Sequence, residues 1–197
     1  TNPPGAFAGV TFIDIANDDM PFLVDSTLAL LNEHGFAISL VLHPILSLRR
    51  DATGKLVEIL EKPSPAPGVI RESLMHIEIA RLDDAPMLAQ LEADIIAVLA
   101  DVRVAVLDWQ TMIRRLKDAI AQYQSNPPPI PIEDLTESIA FLHWMADNHF
   151  TFLGMREYVF DGGVEAGELK PVPQTGLGVL RAPEVGVVRR RGKLVAM

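Results

Sequence analysis

The sequence predicts an α+β fold of the ferredoxin-like kind, an antiparallel sheet with helices on one face. Three observations carry that expectation. The elements follow one another as strand, helix, strand with hairpin, strand, helix, an order this sandwich accommodates. Leu74 to Ala80 alternates Met75, Ile77 and Ile79 against His76, Glu78 and Ala80, as a strand buried on one face does. An apolar stripe runs at helical spacing from Leu88 to Tyr123. A chain of 197 residues, 49% of them apolar, can bury a real core.

Each element has a local cause. Val10 to Ile15 is β-branched and aromatic, which suits a buried strand. Asp19 is placed to cap a helix, with Pro21 tolerated in its first turn and Val24, Leu28 and Leu31 at helical spacing. Gly35 closes that helix. Phe36 to Arg50 reads as a long strand broken or bent at Pro44, and "DATG" (Asp51 to Gly54) turns it back into Lys55 to Leu60. "KPSPAPG" is a Pro-rich surface connection. Asp84 and Pro86 open the long helix, whose stripe takes in Leu91, Ile95, Leu99, Val102, Val106, Trp109, Ile113, Leu116 and Ile120. The rival reading makes Asp101 to Leu107 a strand on account of its valines. "NPPPIP", Asn126 to Pro131, is a stiff boundary. A helix from about Ile132 to Asp147, a strand from Phe150 to Phe160 and a Gly- and Pro-rich tail follow. The expected domains are therefore residues 1–125, the boundary 126–131, and the start of a second module at 132–197. The fourth strand of the first domain has two candidate sources, residues 101 to 107 or Phe150 to Phe160.

Composition excludes several functions. A formal charge of −9 opposes nucleic acid and anionic membranes, and the one basic cluster, Arg189, Arg190, Arg191 and Lys193, reads as a solvated strand or tail. The longest near-apolar run, Phe36 to Leu48, is interrupted by Ser39, His43 and Pro44 and is too short to span a bilayer. With no cysteine and no cleavable leader, a cytoplasmic setting is the expectation. The chain starts at Thr1 and reads as a piece of something longer.

No motif for chemistry emerges. "GLGVLR", Gly176 to Arg181, has two glycines at dinucleotide-loop spacing but arginine in the third place and no helix after it. There is no phosphate loop, no HExxH and no GxSxG. His143 and His149 are not at metal-ligand spacing, and no cysteine joins them. We therefore expect no catalytic residue, no metal and no cofactor in this segment. Two places remain as ligand or interface candidates. One is "NDDMPFLVDS", with Asn17, Asp18, Asp19, Met20, Pro21, Phe22 and Asp25, where helix-start amides can hold a ligand carboxylate or be satisfied by the aspartates. The other is His43, His76 and Glu78, which line a pocket, an interface or a solvated face if the sheet's uncovered side carries them.

The stretch Ile15 to Ile38, "IANDDMPFLVDSTLALLNEHGFAI", resembles the first strand, loop and helix of an ACT domain, a module that commonly senses amino acids. In that family the loop reads Asp, any residue, Pro, Gly; here Asp19, Met20, Pro21 and Phe22 stand there, so Phe22 replaces the glycine that lets a ligand approach the backbone. Replacing Phe22 by glycine is expected to weaken folding through lost burial and added chain entropy, unless the phenylalanine is an exposed contact for a partner. Five ordered blocks, "DDMPFLVDS", "LVLHPILSLRRDATGKL", "ESLMHIEI", "VLADVRVAVLDWQTM" and "FLHWMADNHFTFLGMREY", resemble the amino-terminal region of the large bacterial NAD-specific glutamate dehydrogenases. That resemblance implies a regulatory or assembly segment of an enzyme that uses NAD elsewhere in its chain. It also implies other domains of the parent chain and further copies of it as partners. An ACT-type amino-acid binding module is the alternative.

Overall fold

The computed structural model describes residues 9–161, 168–183, 185, 187–190 and 193–196. Packing divides the chain into two compact units, Thr1–Val102 and Arg103–Met197. The first holds β1 (Val10–Asp18), α1 (Leu23–Glu33), β2 (Ile38–Leu42), β3 (Ile45–Arg50), β4 (Leu56–Leu60), β5 (Ile70–Ala80) and the opening turns of α2 (Ala85–Ser125). Its sheet is antiparallel in the order β1-β5-β3-β4, with β2 also on β5. This is the expected ferredoxin-like α+β arrangement.

The central strand is the 11-residue β5, which pairs with β1 along one edge and with β2 and β3 along the other. β2 and β3 lie along one line beside it: Leu42 faces His76 and Ile45 faces Ser73. Proline has no amide to donate, so the strand breaks at Pro44, yet its carbonyl still accepts the Leu74 N–H at 3.0 Å. Ile77 and Ile79 point to the helices, where they pack with Leu31 of α1 and Leu91 and Ile95 of α2. The Asp51 carboxylate accepts the Thr53 hydroxyl and the amides of Thr53 and Lys55, which fixes the β3–β4 turn. Beside it, Arg50 forms two hydrogen bonds with the buried Glu72 carboxylate at 2.5 and 2.7 Å. The long helix opens as expected, with Asp84 accepting the Met87 amide at 2.8 Å.

Neither expected source of a further strand joins this sheet. Asp101 to Leu107 is helical within α2, where unbroken apolar phase overrides the valines' preference for sheet. Phe150 to Phe160 yields only β6 (Gly154–Met155) and the start of β7 (Tyr158–Asp161). These pair with β9 (Leu177–Gly178) and β8 (Glu168–Pro171), while β10 (Val187–Arg190) pairs with β11 (Lys193–Ala196).

In the second unit, α3 (Ile132–Trp144) runs into a π-helical turn, Met145–His149, ended by Asn148 at φ 62°. Leu116 and Ile120 of α2 pack there with Ala146, Leu142 and Phe152. The buried line on α2 departs from the expected stripe between Val102 and Leu116. It passes through Ala105, Asp108 and Met112, and leaves Trp109 exposed. Asp108, only 5% exposed, accepts the Gly178 amide at 2.7 Å and two bonds from Arg181. The glycines of "GLGVLR" have a steric purpose. A Cβ on Gly178 would lie 2.1 Å from the Leu153 carbonyl oxygen, and one on Gly176 2.1 Å from that of Leu180. No helix among the described residues is long and apolar enough to cross a membrane.

Candidate functional site

The loop "NDDMPFLVDS" is built differently from a capped helix start. β1 continues three residues past Ile15, because Asn17 and Asp18 still pair with Ser73 and Glu72. The turn is therefore displaced, and α1 begins at Leu23 with Phe22 in the cap position and no side-chain cap bond. Asp19 is turned the other way. Its amide donates to the Arg71 carbonyl at 3.2 Å and its carboxylate meets the Arg71 guanidinium at 2.9 Å. The expected Asp19 cap is thus replaced by a tie to the start of β5. Asn17 donates to the Asp18 carbonyl, Pro21 is exposed in the turn, Met20 is half-buried, and Asp25 is exposed on the first helical turn.

Phe22 stands where the ACT pattern has glycine, and it adopts glycine's conformation, φ 71° and ψ 0°, with 45% of its surface exposed. A left-handed backbone costs an L-residue about 1–2 kcal/mol. The backbone thus takes a conformation that glycine adopts without strain, while the phenylalanine side chain stays about half-exposed at the helix start.

Antiparallel register places the histidines. Asp14 faces His76, Phe12 faces Glu78, and Leu40 and Leu42 face Glu78 and His76 from the other side, so all six share the face opposite the helices. The Asp14 carboxylate meets His76 Nδ1 at 2.6 Å, Glu78 lies 3.8 Å from Nε2, and the Phe12 ring packs edge-on against the imidazole. His43 goes elsewhere. It shares a 2.6 Å hydrogen bond with Ser73, a buried residue on the helix-facing side with Met75 and Ile77. The structure thus brings His76 and Glu78 together and separates His43 from them. Around them the same face exposes Leu40, Leu42, Ile59 and Ile70.

Two shifted carboxylates stand out, Glu72 across the ladder from Asp18 and Asp108 on α2. The hydrogen bonds from Arg50 hold the Glu72 carboxyl below its ordinary range against the opposing effect of burial. Arg181 does the same for Asp108, helped by the Gly178 amide. Sequence reasoning missed Asp108, although a carboxylate between Ala105 and Met112 on a helix face is a readable signal. Among the described residues no three His, Asp or Glu side chains are grouped to hold a metal.

Strand, helix and strand order with an antiparallel sheet and helices on one face defines the class, an α+β domain consistent with an ACT-like ferredoxin-like fold. Residues 3–95 match the family described as "Glutamate dehydrogenase, ACT1 domain". The first unit belongs to that family. The chain is similar to the NAD-specific glutamate dehydrogenase of Pseudomonas aeruginosa, 37% identical over 177 residues, which is 90% of this chain and 11% of that protein. The enzyme of the same name from Halomonas elongata is 34% identical over 172 residues, 87% of this chain and 11% of the relative. That of Mycobacterium tuberculosis is 29% identical over 160 residues, 81% and 10% respectively. The chain thus spans about a tenth of the length of the curated relatives it matches.

Proposed function

We propose that this chain is a non-catalytic regulatory and assembly segment of an NAD-specific glutamate dehydrogenase, a cytoplasmic homo-oligomer that oxidatively deaminates L-glutamate to 2-oxoglutarate with NAD bound in another domain. The observation that carries this reading is the sheet face opposite the helices. Leu40, Leu42, Ile59 and Ile70 are exposed there, while Asp14, His76 and Glu78 are engaged with one another. Apolar surface around an internally satisfied polar cluster suits contact with another module better than chemistry. In the full-length enzyme, Leu42→Lys with Ile59→Lys is expected to shift the sedimentation behaviour or effector response and leave the KM for NAD unchanged. Titration of the segment with NAD is expected to show no binding tighter than about 100 μM. Saturable amino-acid binding by the segment, abolished by Asp19→Ala with the fold retained, would move the function to the β1–α1 loop instead.

A further inference from the structure

We propose that the groove between the outer edge of β1 and the opening turns of α2 receives an extended segment of the parent polypeptide from outside these 197 residues. That segment joins the sheet antiparallel to β1, on the edge that β5 leaves free. The inference rests on the reading of this chain as part of a longer dehydrogenase.

The backbone provides the first reason. The Gly9 carbonyl accepts from Arg81, and the Asp19 amide donates to Arg71, at opposite ends of the β1–β5 ladder. Hydrogen bonding alternates along an antiparallel pair, so the odd-numbered residues of β1 bond to β5. Asp14 and Ala16 accordingly aim their N–H and C=O groups away from it. Among the described residues β1 is the last strand on its side of the sheet.

Beside that edge lies a groove of about 640 Å³, floored by the consecutive residues Thr11 to Ala16 and walled by Leu88, Glu92, Ile96 and Leu99. Those four sit at helical spacing, so one stripe of α2 faces the groove. Ile96 is 63% exposed within it, a large apolar side chain placed where a strand's inward residue would meet it.

Helix and strand dimensions explain why a strand fits. A helix is about 10 Å across and strands lie about 4.8 Å apart, so one helix covers about two strands. Ile13 and Ile15 of β1 pack against the cluster that holds Leu91 and Ile95, and the neighbouring stripe from Leu88 to Leu99 borders the groove beside β1.

Two other occupants are disfavoured. Both candidate segments of this chain are committed, Asp101 to Leu107 to α2 and Phe150 to Phe160 to pairing with β8 and β9. A second copy pairing β1 with β1 would bring two α2 helices over the same two strands, and they would collide. A lone strand has no helix of its own to place there, and the relatives carry about nine-tenths of their length outside the matched region. The occupant should alternate, with apolar residues towards Leu88 and Ile96 on the helix side and a cationic one near Asp14 on the opposite face.

The test uses the full-length enzyme, exploiting the absence of cysteine from this segment. Ala89→Cys places a thiol at the groove, and Ala97→Cys places one on an exposed face of the same helix turned away from it. Maleimide should react at position 89 at least about tenfold more slowly than at 97, with the Asp14 and Ala16 amides protected from exchange. Ala16→Pro, which removes an outward donor, should raise the rate at 89 to that at 97. A photo-crosslinker on Cys at position 89 should capture a peptide from outside residues 1–197. Equal labelling at 89 and 97, or capture of residues 1–197 from another copy, overturns the proposal. Labelling reports occupancy alone, so a failure of the regulatory reading would be visible separately, as NAD binding by a segment whose groove is nevertheless covered.

Discussion

Phe22 offers a direct measurement of stored backbone strain. Replacing it by alanine removes the buried half or so of a phenylalanine side chain, about 1–1.5 kcal/mol, and keeps the left-handed strain. Replacing it by glycine removes the same contacts, relieves about 1–2 kcal/mol of strain and adds chain entropy worth about 0.5–1 kcal/mol. Phe22→Gly should therefore be more stable than Phe22→Ala by roughly 0.5–1 kcal/mol. Against the unaltered chain the glycine variant should come within about 1 kcal/mol. This corrects the expectation from composition, which counted burial and entropy but not φ. Urea midpoints should differ by about half a molar for a slope near 1.5 kcal/mol/M. Trp109 and Trp144 both lie in the second unit, so their fluorescence would miss the effect. Exchange of the Ile77 and Ile79 amides in the first unit's core reports it. An alanine variant as stable as the glycine variant would refute the strain, and with it the reasoning from the Phe22 backbone.

Gly178→Ala should cost the second unit at least about 3 kcal/mol, since φ 58° with ψ −140° belongs to glycine and the new carbon meets the Leu153 carbonyl; here tryptophan fluorescence is the suitable probe. Asp19→Ala should cost only about 0.2–1 kcal/mol by chemical denaturation, because an ion pair with the largely exposed Arg71 replaces the cap. Glu72 and Asp108 have folded-state pKa values below their unfolded ones. Each therefore contributes stability above about pH 4 that is lost as the pH falls through the lower folded value. Thermal melts followed by far-UV circular dichroism should weaken below about pH 4, and Glu72→Gln with Asp108→Asn should flatten that slope.

Much of the first unit was legible because its residues obey one rule at a time. Alternation placed β5, Pro44 broke the strand between β2 and β3, "DATG" closed the hairpin, and Asp84 capped α2. The loop was misread for a physical reason. Asp19 has the chemistry of a cap, but extending β1 to Asp18 gained ladder bonds and gave its carboxylate to Arg71, a partner 52 positions away that local spacing does not reveal. His43 and His76 were placed together because they lie on adjoining strands, whereas side depends on residue parity across the Pro44 break. In the second unit, short strands are held by single contacts such as Asp108 to Arg181, which have no period to detect.

Arg156 illustrates what such contacts permit. Its guanidinium donates to the carbonyls of Leu180, Ala182 and Val185, so one side chain organises a turn through atoms every amino acid possesses. Substitution at 180, 182 or 185 leaves those acceptors in place, while lysine at 156 could not span them with a planar fork. Drift should therefore accumulate along the held segment and be refused at its holder, so that in a set of diverged sequences the informative column is the arginine rather than the turn it shapes.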